Sequence, residues 1–558
     1  MIKSLTGNLW DIKHNDFLTK DDVCGIMLEN RGFDHDFLDA KLKNTMPDPY
    51  VFKDMEIATE RIVKALNEKQ PIAILGDYDV DGVSSTSIFL KFFRAFPAKC
   101  DYAIPDRMDD GYGLNLKNIK QFKNHLIIAV DCGSSSHEEL AYAKKHKIDV
   151  IVIDHHKMTE IPPALAVVNP HRPDEKDDYK HLCATALVFM CVVAVRRKLQ
   201  GTQYLDNRKM PDIRTFLDLV AAATVCDVMP LISLNRAFVK LGLQVLQQKS
   251  NLGLNALLTL GGKNEINEET IGFFIGPHLN AAGRVGHAKT SVELLTTSSV
   301  QEAQNLALEL IKLNKTRQDL EMEICQEAEE EIERDASNIC VFNSKWHLGV
   351  IGIVAGRLKE KYNKPTIVIS CDAHGIGKAS CRSVLGVDIS AVIKKAIDAG
   401  IITSGGGHLL AAGFSIPVEN IPALKEFLKS EIPVMHNLPI LEAEGFISSK
   451  SCNEDFIDAF SALSPFGEGN KSPSFVLSGA NVVDVKILKE QHICATLNLD
   501  DGRTIKGLAF KSVGTQLGDI LLSCKNSLNF LGGLSISCWQ GKQSINFMIK
   551  DVAEMKQP

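Results

Sequence analysis

Three aspartates at alternate positions, Asp77, Asp79 and Asp81, follow the apolar run at 71–75 in the stretch PIAILGDYDVDGVSST. Carboxylates packed so closely repel one another, and a bound cation is the simplest remedy. The arrangement recurs. Asp131 follows the apolar run 126–130, the triplet Asp154, His155 and His156 follows 149–153, and Asp227 follows the apolar stretch 219–226. A lone aspartate after a strand is more often a cap or turn residue. Three such runs ending in aspartate, one with an adjacent histidine pair, outweigh that reading. Carboxylates with imidazoles suit Mg²⁺, Mn²⁺ or Zn²⁺, and the carboxylate excess favours the harder Mg²⁺ and Mn²⁺. Two cations bridged by a carboxylate can clamp a phosphodiester, activate water and stabilise the departing oxygen.

These residues need elements that hold them in register. Each of the first three runs is short, rich in β-branched residues and bounded by glycine or polar groups, which predicts strands buried on both faces of a parallel sheet. The acidic groups then fall at the carboxyl ends of strands, where open α/β sheets bind ligands. Strand-like and helical stretches alternate to about 240, a doubly wound pattern. The expected division is an amino-terminal helical segment (1–46), a catalytic α/β domain (47–240) and a helical extension with a connector (241–336). A second α/β domain (337–431), beginning near Ile339, and a small β barrel (432–558) follow. The connector shows in the stripe Ala303, Leu306, Leu310, Leu313, Leu320, Ile324, Ala328 and Ile332, with a solvated acidic face between.

Bulk properties narrow the function classes. A chain of 558 residues is too long for one core. Its longest apolar run, 184–195, falls short of the roughly 20 residues of a membrane span, and MIKSLTGNLWDIKHND has no apolar signal core. Fourteen cysteines without a C-x-x-C pair point to reduced thiols in the cytoplasm. The net charge of −7 does not exclude a nucleic acid, since phosphate binding needs a local basic stripe and not a basic total.

The ordered segments GDYDVDGV (76–83), IPDRMDDGYGLN (104–115), VDCG (130–133), VIDHHK (152–157), LVAAATVCDVMPL (219–231), GPHLNAAGR (276–284), WHLGVIGIVAGRL (346–358), KASCRS (378–383), GGGHLLAAGF (405–414) and SPFGEGN (464–470) resemble the DHH phosphoesterase superfamily. Within it they are similar to the branch of single-strand-specific exonucleases. The resemblance implies a DHH domain and a DHH-associated domain joined by a long helix, then an OB-like barrel. It implies 5′→3′ hydrolysis of single-stranded DNA with two Mn²⁺ or Mg²⁺ ions. Asp79, Asp81, Asp131, His155 and Asp227 would be ligands, with Asp131 bridging and Asp77 joining or supporting them. Asp154 would orient an imidazole, and His156 would face the scissile phosphate beside the catalytic Asp131 and His155. Arg107, Ser380 and Arg382 match positions that grip a 5′-terminal phosphate, and His408 and His347 would contact substrate. In GPHLNAAGR, His278 and Arg284 lie along the implied substrate path, with His278 where an arginine is usual. Ala379 and Cys381 also depart from the usual small residues. The resemblance further implies a monomer served by a single-stranded-DNA-binding protein and a helicase. The alternatives are a hydrolase of short oligonucleotides or cyclic dinucleotides, which needs no barrel, and a non-catalytic scaffold, which needs no ligands.

Overall fold

The sheet that carries the acidic edge has five strands, all parallel, in the order Cys100–Ala103, Ile72–Gly76, Leu126–Val130, Val150–Ile153 and Ala166–Val168. The computed structural model describes residues 1–107, 111, 113–200, 210–334, 340–343, 345–432, 439–523, 526–539 and 542–555. Every residue of the strands Ile72–Gly76 and Leu126–Val130 is buried, which is why their sequences are apolar without alternation. One face, with Leu75, Ala129 and Val152, packs on Ile119, Leu140 and Ala143. Helices Val80–Phe93 and Ala184–Leu199 lie on the sheet as well. The crossovers deliver Asp77, Asp131, Asp154 and Asn169 to one edge.

The chain divides into two compact units, one of which, Pro47–Met229 with Leu241–Met435, contains this sheet. In the same unit the connector helix Val300–Arg334 packs against Leu252–Leu260, Gly276–Val285 and Leu348–Tyr362. A second sheet runs Ser404–His408, Ala411–Pro417, Ile376–Arg382, Thr366–Cys371, Cys340–Asn343, antiparallel except for the last pair. The start of this domain near Ile339 lies outside the described residues.

The other unit comprises Met1–Met46, Pro230–Lys240 and His436–Pro558. Its six-stranded sheet closes on itself, because Phe475–Leu488 pairs with both His492–Asn498 and Leu528–Trp539. Two expectations need correction here. Residues 1–46 are not a separate helical segment: Ile2–Lys3 and Leu9–Ile12 form a three-stranded sheet with Ile440–Ala443. Buried Trp10 fixes this strand by donating its Nε1 to Asp551 at 2.8 Å. Residues 230–240, expected in the catalytic domain, also belong to this unit. Their Arg236 is buried and donates to the carbonyls of Phe37 and Ala462, both at 3.0 Å.

Candidate metal centre and phosphate grip

Each acidic side chain is fixed by the element that precedes or follows it. Asp79 caps the helix Val80–Phe93, accepting from the amides of Asp81 (2.9 Å) and Gly82 (3.1 Å). A Cβ at Gly82 would come within 2.4 Å of the Asp77 carbonyl oxygen, so the aspartate loop can fold onto the helix only over glycine. Asp81 accepts from the amides of Ala184 (2.7 Å) and Thr185 (2.8 Å) at the start of another helix. Asp131 leaves its strand in the left-handed region, φ 59°, which aspartate tolerates better than most residues. Asp227 ends the helix Leu217–Cys226 and is followed by Val228 at φ 56°, a strained conformation for a β-branched side chain.

These groups converge. His155 Nε2 lies 3.3 Å from Asp131, 3.5 Å from Asp227 and 3.6 Å from Asp81. Asp131 groups with His155 and His156 and again with Asp77 and Asp79, while Asp81, His155 and Asp227 form a third group. Within each group the ligand atoms lie within 4.8 Å of one another. Burial, reinforced by neighbouring aspartates, pushes the Asp77 and Asp131 carboxyls well above their usual range and Asp227 to about 9. Asp77 Oδ1 and Asp227 Oδ2 are buried and accept no hydrogen bond among the described residues. Mutual repulsion with vacant lone pairs is the environment a divalent cation relieves, and the oxygen-rich donor set fits Mg²⁺ or Mn²⁺.

Asp154 differs from its neighbours. It accepts from the amides of Ser134 (3.0 Å) and His155 (2.7 Å) and from His156 Nδ1 at 2.7 Å. Burial alone would raise its pKa, but the hydrogen bond and charge of His156 outweigh this and hold it below the carboxylate range. The same contact, against burial, lifts His156 to about 9. Asp154 is thus placed to orient a part-exposed imidazole and to favour its protonated form. Ser134 and Asn169 were not read from the sequence. Asn169 Nδ2 donates to Ser134 Oγ (2.8 Å) and to the His156 carbonyl (2.9 Å). It directly follows the strand Ala166–Val168, so the strand-end logic extended by one strand would have found it.

A cationic group belongs to the same unit. Arg107 lies over the Tyr78 ring at 4.9 Å. Arg284 is pushed down to about 10 by burial and by repulsion from Arg107 and Arg317. Arg382 is lowered by burial, with Arg107 adding to the effect, and its Nη1 donates to Ser380 Oγ at 3.3 Å. Among the described residues none of these three arginines pairs with a carboxylate. Ser380 and Arg382 share one face of the strand Ile376–Arg382, whereas Ala379 and Cys381 point into the core, so the departures at those positions leave the pair intact.

The three histidines assigned to substrate have separate fates. His278 does not face an open path: it is buried, its Nδ1 donates to the Phe274 carbonyl at 2.7 Å, and its Nε2 meets Asn314 at 3.2 Å. Burial lowers its pKa, so it is a neutral packing residue and not a replacement for a cation. His347 caps the helix Leu348–Tyr362, accepting from Gly349 N at 3.1 Å. His408 ends the exposed edge strand Ser404–His408, where its imidazole makes no hydrogen bond among the described residues.

Residues 71–224 match the DHH family N-terminal domain, 336–433 the DHHA1 domain and 443–551 the RecJ OB domain. The single-stranded-DNA-specific exonuclease RecJ of Bacillus subtilis is 33% identical over 91% of this chain, which spans 64% of that relative's length. The Haemophilus influenzae protein of the same name is 32% identical over 78% of this chain and 80% of its own. The crystal structure of Thermus thermophilus RecJ in complex with Mn²⁺ superposes with a TM-score of 0.80 at 27% identity, covering 98% of this chain and 80% of that one. Its complex with Mg²⁺ gives 0.76 at 26%, covering 98% and 79%.

Proposed function

The chain belongs to the RecJ family, and from that membership we propose that it is a metal-dependent exonuclease that shortens single-stranded DNA from the 5′ end and releases nucleoside 5′-monophosphates. The observation that carries this reading is a group of mutually repelling carboxylates in the same unit as three arginines that pair with no carboxylate among the described residues. A phosphorylated strand end together with two Mn²⁺ or Mg²⁺ ions answers both. The ions, held by Asp77, Asp79, Asp81, Asp131, His155 and Asp227, would supply an activated water and charge neutralisation at the scissile phosphate. Asp131, common to two of the ligand groups, is the candidate bridge.

The remaining roles fall to the chain's own side chains. Arg107, Ser380 and Arg382 grip the 5′ phosphate, since guanidinium groups match phosphate oxygens bidentately and a hydroxyl adds a donor. His156, held protonated by Asp154, donates toward the departing 3′ oxygen of the first nucleotide. Cleavage on that side leaves a 5′ phosphate on the shortened strand, which the same grip receives in the next cycle. Delivery by a single-stranded-DNA-binding protein or a helicase, and a monomeric protein working in the cytoplasm, belong to the same reading through the family resemblance. The test is incubation of 5′- and 3′-labelled oligonucleotides with Mn²⁺, Mg²⁺ or chelator. Mononucleotides should appear at once from the 5′ label, only with metal. Early release from the 3′ label, or activity in chelator, would refute the assignment.

A further inference from the structure

The carboxyl edge of the catalytic sheet continues past the metal centre. Arg107 follows its first strand in spatial order, the aspartate loop the second, Asp131 the third and Asp154 to His156 the fourth. Beyond them a cavity of about 710 Å³ opens, lined by Ser134, Ser135, His137, Lys157, His171 and Lys180. Its size falls within the roughly 300–1,000 Å³ of small-ligand pockets. We propose that this cavity binds a phosphate of the strand on the 3′ side of the scissile bond.

Placement and chemistry both support this. The lining residues come from the loops after the third, fourth and fifth strands, so the cavity lies at the opposite end of the edge from Arg107 with the carboxylates between. Adjacent strands are about 4.8 Å apart, which puts the cavity beside the metal centre and not on it. Besides Met158 and Thr159, its lining holds two lysines, two histidines and two serines, and no carboxylate among the described residues. Lys157 makes no ion pair among the described residues. His171 Nε2 donates to the Lys180 carbonyl at 3.2 Å, and Lys157, His171 and Lys180 line the same wall. Ser134 ties the wall to the catalytic imidazole, since its amide holds Asp154 and its hydroxyl accepts from Asn169, which also holds the His156 carbonyl. A strand anchored at Arg107 and crossing the centre therefore meets a second cationic site.

This inference rests on the exonuclease reading, with the 5′ end at Arg107. The test compares the parent with a Lys157→Ala, Lys180→Ala double variant. On a strand of about ten nucleotides, KM should rise about tenfold with kcat little changed, and the slope of log KM against log salt should fall by about 0.7 for each lost contact. A 5′-phosphorylated dinucleotide, which has no phosphate beyond the scissile one, should be hydrolysed equally by both proteins. Equal KM on the long strand overturns the proposal. So does an unchanged KM with weaker inhibition by a nucleoside 5′-monophosphate, because the cavity would then take released product and not the strand. If the parent itself hydrolyses neither substrate with Mn²⁺, the underlying reading fails instead.

Discussion

The carboxylate cluster at the sheet edge and the arginine cluster around Arg107 are electrostatic opposites built in different ways. Asp77, Asp81, Asp131 and Asp154 are buried, and Asp79, Asp81 and Asp154 are pinned by backbone amides, so much of the geometry exists before any ligand arrives. Among the described residues, Arg107 and Arg382 rest against a ring face, a serine hydroxyl and a backbone carbonyl, and pair with no carboxylate. Chemistry is thus preorganised where atoms must be placed closely, and recognition is left looser where a phosphate can complete it.

The comparison breaks most sharply at Asp131. Asparagine tolerates the left-handed backbone there, so Asp131→Asn tests charge alone. Its rate should fall below about a thousandth of the parent's, several kcal/mol of lost transition-state stabilisation. Its metal-free melting temperature should not fall, because one repelling charge has gone. A variant retaining about a tenth of the parent rate would remove the bridging role.

On the cationic side, Arg382→Ala should cost about 1.5–3 kcal/mol in kcat/KM on a 5′-phosphorylated strand. The loss should shrink on a strand ending in a 5′ hydroxyl, and identical losses on both would place Arg382 elsewhere. Next, Asp154→Asn should lower kcat about 10- to 100-fold without removing a metal ligand. It should also move the alkaline limb of the pH profile. Protonated His156 is lost as pH rises through about 9 in the parent, and without its carboxylate partner that loss should come nearer the ordinary imidazole value of about 6.5. An unmoved limb would acquit His156 as the proton donor.

The smallest effect on catalysis belongs to His278. Replacing it with alanine leaves the Phe274 carbonyl and Asn314 without their partner, so stability should fall by about 1–3 kcal/mol with KM for strands unchanged. A raised KM with unchanged stability would restore the contact with DNA that its position in the motif suggested.

His278 also shows where sequence reading ends. The acidic edge was legible because strands buried on both faces are continuously apolar and announce their own ends. The connector was legible because its apolar residues recur at helical spacing. Which face of the GPHLNAAGR helix turns inward depends on Asn314, 36 positions away, and no local pattern encodes that. The pairing of Leu9–Ile12 with Ile440–Ala443 is equally silent, since either strand alone is too short to declare a partner. Asp227 was found by type, but the helix that presents it was not read.

The strained Val228 sets a limit on how this protein could be made to withstand heat. Glycine at that position would release about 1 kcal/mol of left-handed strain, the kind of substitution that stability selections favour. It would also free the hinge behind Asp227, letting a carboxylate wander that must stay within reach of His155. A Val228→Gly protein should therefore melt higher and turn over more slowly, and selection for durability alone would erode the centre from its rim.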